Sequence, residues 1–175
     1  LSLQKAAIQA DTLDYIFSGD LLNQCVGSAF GIKDSNVPHF GLYGACSTMA
    51  ESLSLAAMTI DGGFANTVCA LTSSHFCSAE RQFRLPLNYG GLRPPTAQWT
   101  ATAAGSLILS AEGEGPVVTH VTTGKIVDAG VTDANNMGAA MAPAALETLC
   151  THFADTGRTP DYYDIIATGD LCEVG

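Results

Sequence analysis

Basic residues are scarce in this sequence. Its 175 residues include seven Lys and Arg against seventeen Asp and Glu, which gives a formal net charge of −10 at pH 7. Because the basic residues form no cluster, this charge argues against broad binding to nucleic acid or to an anionic membrane. No run of about 18 apolar residues occurs either, and we expect no signal peptide, so the sequence predicts neither a membrane span nor a secretory address.

The six cysteines lack the close pairing that is typical of metal sites and disulfide frameworks. They are spread along the chain at positions 25, 46, 69, 77, 150 and 172, mostly within apolar runs. This spacing favours neither a zinc site nor a set of disulfides, and it fits a reducing compartment. Hydrophobic residues make up 47% of the sequence, which is enough for a sizeable folded core.

Residues 41–58 place a cysteine between a glycine-bearing turn and an apolar helix. Thr48 and Glu51 have the spacing of a capping box, so the helix should begin near Ser47 or Thr48 and be buried on almost every side. Cys46 would then lie at the helix N-terminus, where unpaired N–H groups and the helix dipole favour a thiolate or a bound anion. The alternative is a small apolar cysteine that is buried in a tight turn.

The apolar pattern predicts helices and strands in alternation. Helices are expected at 3–10, 48–61 and 138–153, and strands at 13–18, 65–72, 99–110, 117–127 and 163–168. Strand, helix and strand in succession imply parallel pairing, whereas the runs at 99–110 and 117–127 predict a meander. Residues 21–45 are predicted to form a long irregular connection, and Pro143 is expected in the first turn of its helix.

A long loop at 73–99 holds three of the seven basic residues, Arg81, Arg84 and Arg93. Loops of this length within a compact domain are usually functional. The arginines either pair with surface carboxylates, as exposed arginines commonly do, or form a local anion site. The sequence leaves both interpretations open.

Two segments of the chain, 14–22 and 164–172, are similar to each other. Five of the nine positions coincide, and a helix rich in small residues precedes both copies. The repeat suggests a duplicated α/β architecture whose halves share a site. The less favoured alternative is chance, or independent use of Gly-Asp at the end of a strand.

The Gly-Ala-Cys-Ser-Thr turn at a helix start, within a duplicated α/β chain, resembles the thiolase-like fold. Six motifs are similar to those of the stage V sporulation protein AD family, and they lie at 19–24, 41–48, 74–75, 79–84, 136–145 and 168–171. The resemblance implies a layered αβαβα thiolase-like α/β fold with pseudo-duplicated halves, truncated here at both ends. Residues 1–130 would form most of the N-terminal half, and 131–175 the start of the C-terminal half.

The resemblance also implies a role that is not enzymatic: binding of dipicolinic acid, with or without calcium, during its uptake into the developing bacterial spore. The ligand-binding residues would be Cys46, Ser47, His75, Arg81 and Arg84, with no catalytic residue, cofactor or metal site. The expected partners are dipicolinic acid, other stage V sporulation A membrane proteins and a second copy in a homodimer, but not nucleic acid. The protein would lie inside the cell, peripherally associated with the forespore or spore inner membrane.

Two other classes of function stay open. A cysteine-dependent acyltransferase or condensing enzyme of the thiolase or ketoacyl synthase type would use Cys46 as nucleophile, and it would need an imidazole or amide partner. In a ketosynthase of this type a histidine follows the strand that corresponds to 163–167, whereas this sequence has Thr-Gly-Asp at 168–170, which leaves His75 as a substitute base. The other class is a structural partner of membrane subunits that binds no ligand.

Overall fold

The structure is a computed structural model that describes residues 1–22, 24–92, 99–133, 136–169 and 171. It divides into two compact units, Leu1–Val118 and Thr119–Gly175. The helices are α1 (Ser2–Ala6), α2 (Val26–Ile32), α3 (Thr48–Asp61), α4 (Phe76–Ala79) and α5 (Met137–Thr156). The strands are β1 (Tyr15–Asp20), β2 (His39–Leu42), β3 (Thr67–Ser74) and β4 (Ala103–Ser110). Short 3-10 turns cover Ala10–Thr12, Ala45–Ser47, Glu80–Phe83 and Pro160–Tyr162.

A four-stranded sheet in the order β2-β1-β3-β4 forms the middle of the first unit. β1 pairs in parallel with both β2 and β3, and β4 runs antiparallel to β3. Parallel strands need a crossover connection, which α2 provides between the neighbours β1 and β2, whereas α3 carries the chain from β2 past β1 to β3. The predicted parallel pairing of the strands at 13–18 and 65–72 is confirmed.

Apolar side chains of the central strands alternate between the two faces of the sheet, as the period of two requires. On one face Phe17 and Val68 pack with Ala56 of α3. On the other face Ile16 and Cys69 pack with partly buried side chains from α1, α2 and the neighbouring loops. The sheet is therefore a middle layer with helices on both faces, which agrees with the layered α/β fold expected from the sequence.

The segment 21–45, predicted to be an irregular connection, contains both α2 and β2. α2 has only seven residues, and its first turn is held by the buried carboxylate of Asp20, which accepts the Ser28 N–H. β2 has four residues at the edge of the sheet and is held by its ladder with β1. The prediction was wrong because these short elements depend on contacts with β1, which the pattern of their own glycine-rich sequence does not reveal.

α3 begins at Thr48, within the predicted range, but it is less buried than predicted. Ser52 and Ala56 are buried against the sheet, whereas Met58 is 55% exposed. The apolar residues around the helix indicated burial on every side. In the described residues the helix contacts the sheet along one side only.

Two predicted strands are not formed in the described part of the chain. The segments 117–127 and 163–168 take part in no ladder, and Ile126 is 99% exposed. A strand exists only through its hydrogen bonds to a neighbouring strand, so an apolar run is not sufficient to produce one. The predicted meander after β4 is therefore wrong within the described residues, where β4 has β3 as its ladder partner.

α5 is the main element of the second unit. Its N-terminus is capped by Asn136, whose side-chain oxygen accepts the Ala139 N–H at 3.2 Å, and it ends at Gly157, with φ of +65°. Pro143 was predicted to lie in the first turn of this helix. That prediction is wrong, because the helix begins at Met137 and Pro143 lies in its second turn. No helix among the described residues is long and apolar enough to cross a membrane.

The predicted internal repeat is only partly visible. Residues 14–20 lead into and form β1, whereas the corresponding 164–169 form no strand, and positions 170 and 172 lie outside the described residues. The assignment of 1–130 and 131–175 to two halves of the family fold stays a prediction.

Candidate functional site

A cavity of about 260 Å³ lies at the carboxyl end of β3, beside the turn that carries Cys46. Its polar lining comes from Cys46, Thr72, Ser73 and Ser74. The rest is Leu21, Ala45 and the small residues around the start of β4, which are Ala101, Ala103, Ala104 and Gly105. Ligands of open α/β sheets bind at the carboxyl ends of the strands. The small side chains leave room there, so this cavity is the candidate site.

Cys46 is held at the cavity by the 3-10 turn Ala45–Ser47, which joins β2 to α3. Ala45 has φ of +48°, a left-handed conformation that is uncommon for a residue with a Cβ and that turns the chain sharply. Cys46 is exposed and lies immediately before the first turn of α3, as the sequence predicted. Ser47 is the N-cap of α3, but its hydroxyl donates to the Gly44 carbonyl at 2.9 Å.

The predicted capping box at the start of α3 is not formed. The Oγ1 atom of Thr48 and the Oε2 atom of Glu51 are buried, and neither has a hydrogen-bond partner in the described part of the chain. Thr48 is the first residue of the helix and Ser47 is its N-cap, so the helix begins one residue earlier than a capping box on Thr48 requires. The Glu51 carboxylate instead lies against the Cα of Gly44, where a Cβ would collide with it.

A buried carboxylate stands behind the cavity. Asp20, at the carboxyl end of β1, is 5% exposed and accepts the Ser28 N–H at 3.0 and 3.1 Å and the hydroxyl of Ser73. Burial of a charge is tolerated when such donors replace water. Asp20 thereby fastens β1, α2 and β3 together at the cavity. The sequence contained a signal for it, since Gly-Asp ends the predicted strand, but its partners could not be read from that signal.

The thiol of Cys25 lies close to this carboxylate. It donates to the Leu42 carbonyl at 2.7 Å, and the residue is buried. Burial raises the pKa of Cys25, and the negative charge of Asp20 adds to that rise. Cys25 is therefore a thiol that stabilises the end of β2, in contrast to the exposed Cys46.

His75 follows the last residue of β3 but is occupied as a helix cap. Its Nδ1 atom accepts the Cys77 N–H at 3.2 Å at the start of α4. His75 is exposed and is not among the residues that line the cavity. The structure thus brings Cys46 together with Ser74, the neighbour of His75 along the chain.

The two described arginines of the 73–99 loop differ in their surroundings. Arg84 forms an ion pair with Glu80, and both side chains are largely buried. The other oxygen of Glu80 accepts the N–H and the hydroxyl of Thr100 at 3.0 and 2.6 Å. Arg81 is exposed, and its Nη2 contacts the Asn88 carbonyl at 3.5 Å. Of the two interpretations that the sequence left open for these arginines, Arg84 therefore supports pairing with a carboxylate.

Neither of these arginines is a lining residue of the cavity. The third arginine of the loop, Arg93, lies outside the described residues. In the described part of the chain no group of three or more His, Cys, Asp or Glu side chains is placed to hold a metal ion.

The layered α/β fold, with a cysteine in the turn before α3, is a thiolase-like fold. Among solved structures, the chain is similar to AbyA1, a tetronic acid condensing enzyme, with a TM-score of 0.57 and 16% identity over 91% of this chain and 56% of that one. It is also similar to 3-oxoacyl-[acyl-carrier-protein] synthase III from Aquifex aeolicus VF5, with a TM-score of 0.48 and 19% identity over 64% of this chain and 35% of that one. At this identity AbyA1 supports the fold alone.

The sequence also defines the family. The profile of Stage V sporulation protein AD (SpoVAD) matches residues 1–175. Stage V sporulation protein AD of Bacillus subtilis (strain 168) is 45% identical over 175 residues, which are all of this chain and 52% of that protein. The chain belongs to the stage V sporulation protein AD family and spans about half the length of this curated relative. The family and the thiolase-like fold predicted from the motifs are both confirmed.

Proposed function

We propose that the cavity beside Cys46 is part of a binding site for dipicolinic acid, taken as the free dianion or as its calcium chelate, and that the protein serves the uptake of this ligand into the developing spore. Membership of a sporulation protein family gives the biological setting. The observation that carries the chemistry is the cavity itself, which combines small apolar walls with the hydroxyl groups at the carboxyl end of β3, beside the turn that leads into α3.

A flat aromatic dianion needs two kinds of surface. Its ring requires an apolar slot, which Ala103, Ala104 and Gly105 at the start of β4 provide on one side. Its carboxylates require donors and positive potential, which the N–H groups and dipole at the start of a 14-residue helix supply. Cys46 and Ser47 stand at that helix start, so we assign ligand contact to both.

Of the remaining predicted site residues, Arg81 fits the proposal best. It is exposed, and it is held by the long contact to Asn88, so its guanidinium can turn toward a ligand carboxylate. Arg84 acts through its ion pair with Glu80, which fastens the loop that carries Arg81. His75 supports the same loop by capping α4.

We further propose that the protein is not an enzyme. An acyltransferase would need a base or an oxyanion donor next to Cys46. The only histidine adjacent in sequence to the cavity, His75, uses Nδ1 to accept a backbone N–H and serves as a cap. The alternative, a cysteine-dependent acyltransferase, is favoured by the exposure of Cys46 at a helix N-terminus and by the enzymes that share the fold.

The partners belong to the same proposal. A protein that delivers dipicolinic acid to a spore membrane would act beside membrane subunits, and we propose the other stage V sporulation A membrane proteins for that role. It would be associated peripherally with the forespore inner membrane. A homodimer, as is usual for thiolase-like proteins, completes the proposed assembly, and sedimentation equilibrium of the full-length protein tests it.

Calorimetric titration of the full-length protein tests the proposed ligand. Dipicolinate should bind saturably at one site per chain, with and without calcium, whereas acetyl-CoA and malonyl-CoA should give no heat of binding. Pyridine-2-carboxylate, which has one carboxylate fewer, is the matched control ligand and should bind more weakly. Heat from an acyl-CoA, together with a covalent acyl adduct at Cys46 in the intact mass, would replace the proposal with the acyltransferase.

A further inference from the structure

β3 ends in three consecutive hydroxyl residues, Thr72, Ser73 and Ser74, and all three line the cavity. Successive residues of a strand point to opposite faces of the sheet. Ser73 is in register with Asp20 and donates its hydroxyl to that carboxylate, on the face that carries α2. Thr72 and Ser74 therefore lie on the other face, where α3 packs and where Cys46 lies in the turn before that helix.

The hydroxyl of Ser74 differs from that of Ser73 in having no partner. Its Oγ atom is buried and makes no hydrogen bond to any described residue. Buried hydroxyl groups in folded proteins almost always have a partner, and the exceptions call for an explanation. Because Ser74 lines the cavity, the explanation at hand is an acceptor that arrives with the ligand.

We infer that Ser74 donates a hydrogen bond to a carboxylate oxygen of the bound ligand and so determines affinity and specificity at this site. The inference rests on the proposed function and adds a residue to it. An ionised carboxylate can only accept, and a serine hydroxyl has one proton to donate, so the direction of the bond is fixed. Ser73 cannot serve in the same way, since its proton is already given to Asp20.

The test compares dipicolinate binding by the full-length wild-type protein and Ser74→Ala in calorimetric titrations. A bond to a charged acceptor predicts that the variant binds roughly ten- to a hundredfold more weakly. Stability should respond in the opposite direction: removing a hydroxyl that has no partner leaves the urea midpoint of the ligand-free protein unchanged or raises it. Ser78→Ala is the matched control, because that exposed hydroxyl donates to the His75 carbonyl and lies outside the cavity lining.

Each outcome decides the inference. Wild-type affinity in Ser74→Ala overturns the role of Ser74 and leaves the proposed function intact, whereas absence of dipicolinate binding by the wild type overturns both. A lower urea midpoint in the ligand-free variant would show that the hydroxyl has a structural partner, and it would also overturn the inference. Ser74→Cys, a slightly larger side chain of the same branching with a weaker donor, is the second variant, and it should bind dipicolinate more weakly than the wild type.

Discussion

Cys46 is the residue on which the choice between a binding protein and an enzyme depends. In the proposed site its thiol is one wall group among several, so Cys46→Ala should leave dipicolinate affinity within roughly tenfold of wild type, about 1.4 kcal/mol. Calorimetric titration measures this directly. Cys77→Ala removes another exposed thiol outside the cavity lining and serves as the control. Complete loss of binding in a folded Cys46→Ala protein would contradict the role as a wall group.

The position of Cys46 could be predicted, but its surroundings could not. A helix start is a local property, so the glycine-bearing turn and the apolar run were enough to place Cys46 before α3. Which side chains meet at the cavity depends instead on the order and register of the strands in the sheet. Asp20 meets Ser73 because β1 and β3 are adjacent, and the two residues are 53 positions apart in sequence. For the same reason the sequence named His75 as a site residue, whereas the structure places Ser74 in the cavity.

At the scale of elements, Asp14 fastens the start of β3 to the start of β1. Its Oδ2 atom accepts the N–H groups of Asn66 and Thr67 at 2.7 and 3.0 Å. The bond from Thr67, followed by that from Asn66, lowers the pKa of Asp14 below its ordinary 3.8. The Asp14 carboxylate therefore takes up a proton less readily in the folded state than in the unfolded state. Its contribution to the free energy of unfolding is fully present above pH 3.8 and is lost as the pH falls through the lowered pKa.

Urea unfolding at pH 5 and pH 3 tests whether acidification removes the stability that Asp14 contributes. The wild-type midpoint should fall on acidification by more than that of Asp14→Asn, because an amide has no proton to take up over this range. Asp34→Asn, at an exposed carboxylate between α2 and β2, is the control and should keep the wild-type difference. Equal falls in wild type and Asp14→Asn would show that the two bonds contribute nothing to the pH dependence.

Pro143 lies in the second turn of α5, where it lowers the stability of the helix. It lacks the N–H that would bond to the Ala139 carbonyl, so Pro143→Ala should stabilise the protein by about 1–2 kcal/mol after allowance for the more flexible unfolded chain. Pro160→Ala is the matched control, because that proline opens a 3-10 turn where its fixed φ is suitable, and its loss should be neutral or destabilising. Stabilisation by both substitutions would show that position within the helix does not matter.

Elements with a strong periodic pattern were predicted, and elements that depend on neighbours were not. β1, β3, β4, α3 and α5 were all placed within a few residues of their observed bounds. α2 and β2 were missed because their stability comes from Asp20 and from the ladder with β1. The run 117–127 was predicted as a strand from its apolar residues, but pairing is a property of two segments and not of one.

At the scale of the whole molecule, the net charge of the chain has the same sign as the charge of the proposed ligand. The 175 residues carry −10, and the cavity has the buried carboxylate of Asp20 behind it. A dianion would have to approach against this field, whereas its calcium chelate carries no net charge. The helix N–H groups act only at short range, and the charge of Arg81 is already included in the net charge. The approach of the ligand should therefore be governed by the long-range charge and its retention by the site.

Ionic strength separates these two contributions. Where the charge of these 175 residues sets the field at the cavity, salt screens the repulsion, so the association rate of free dipicolinate with the full-length protein should rise between low and 0.5 M salt, by up to about tenfold, whereas attraction to a basic site would make it fall. Stopped-flow mixing measures this rate, and the calcium chelate is the control ligand, because its neutral charge should make association nearly independent of salt. A rate for the free dianion that falls as salt rises would mean that cations such as Arg81 dominate the field at the cavity. The net charge would then not describe the electrostatics of binding.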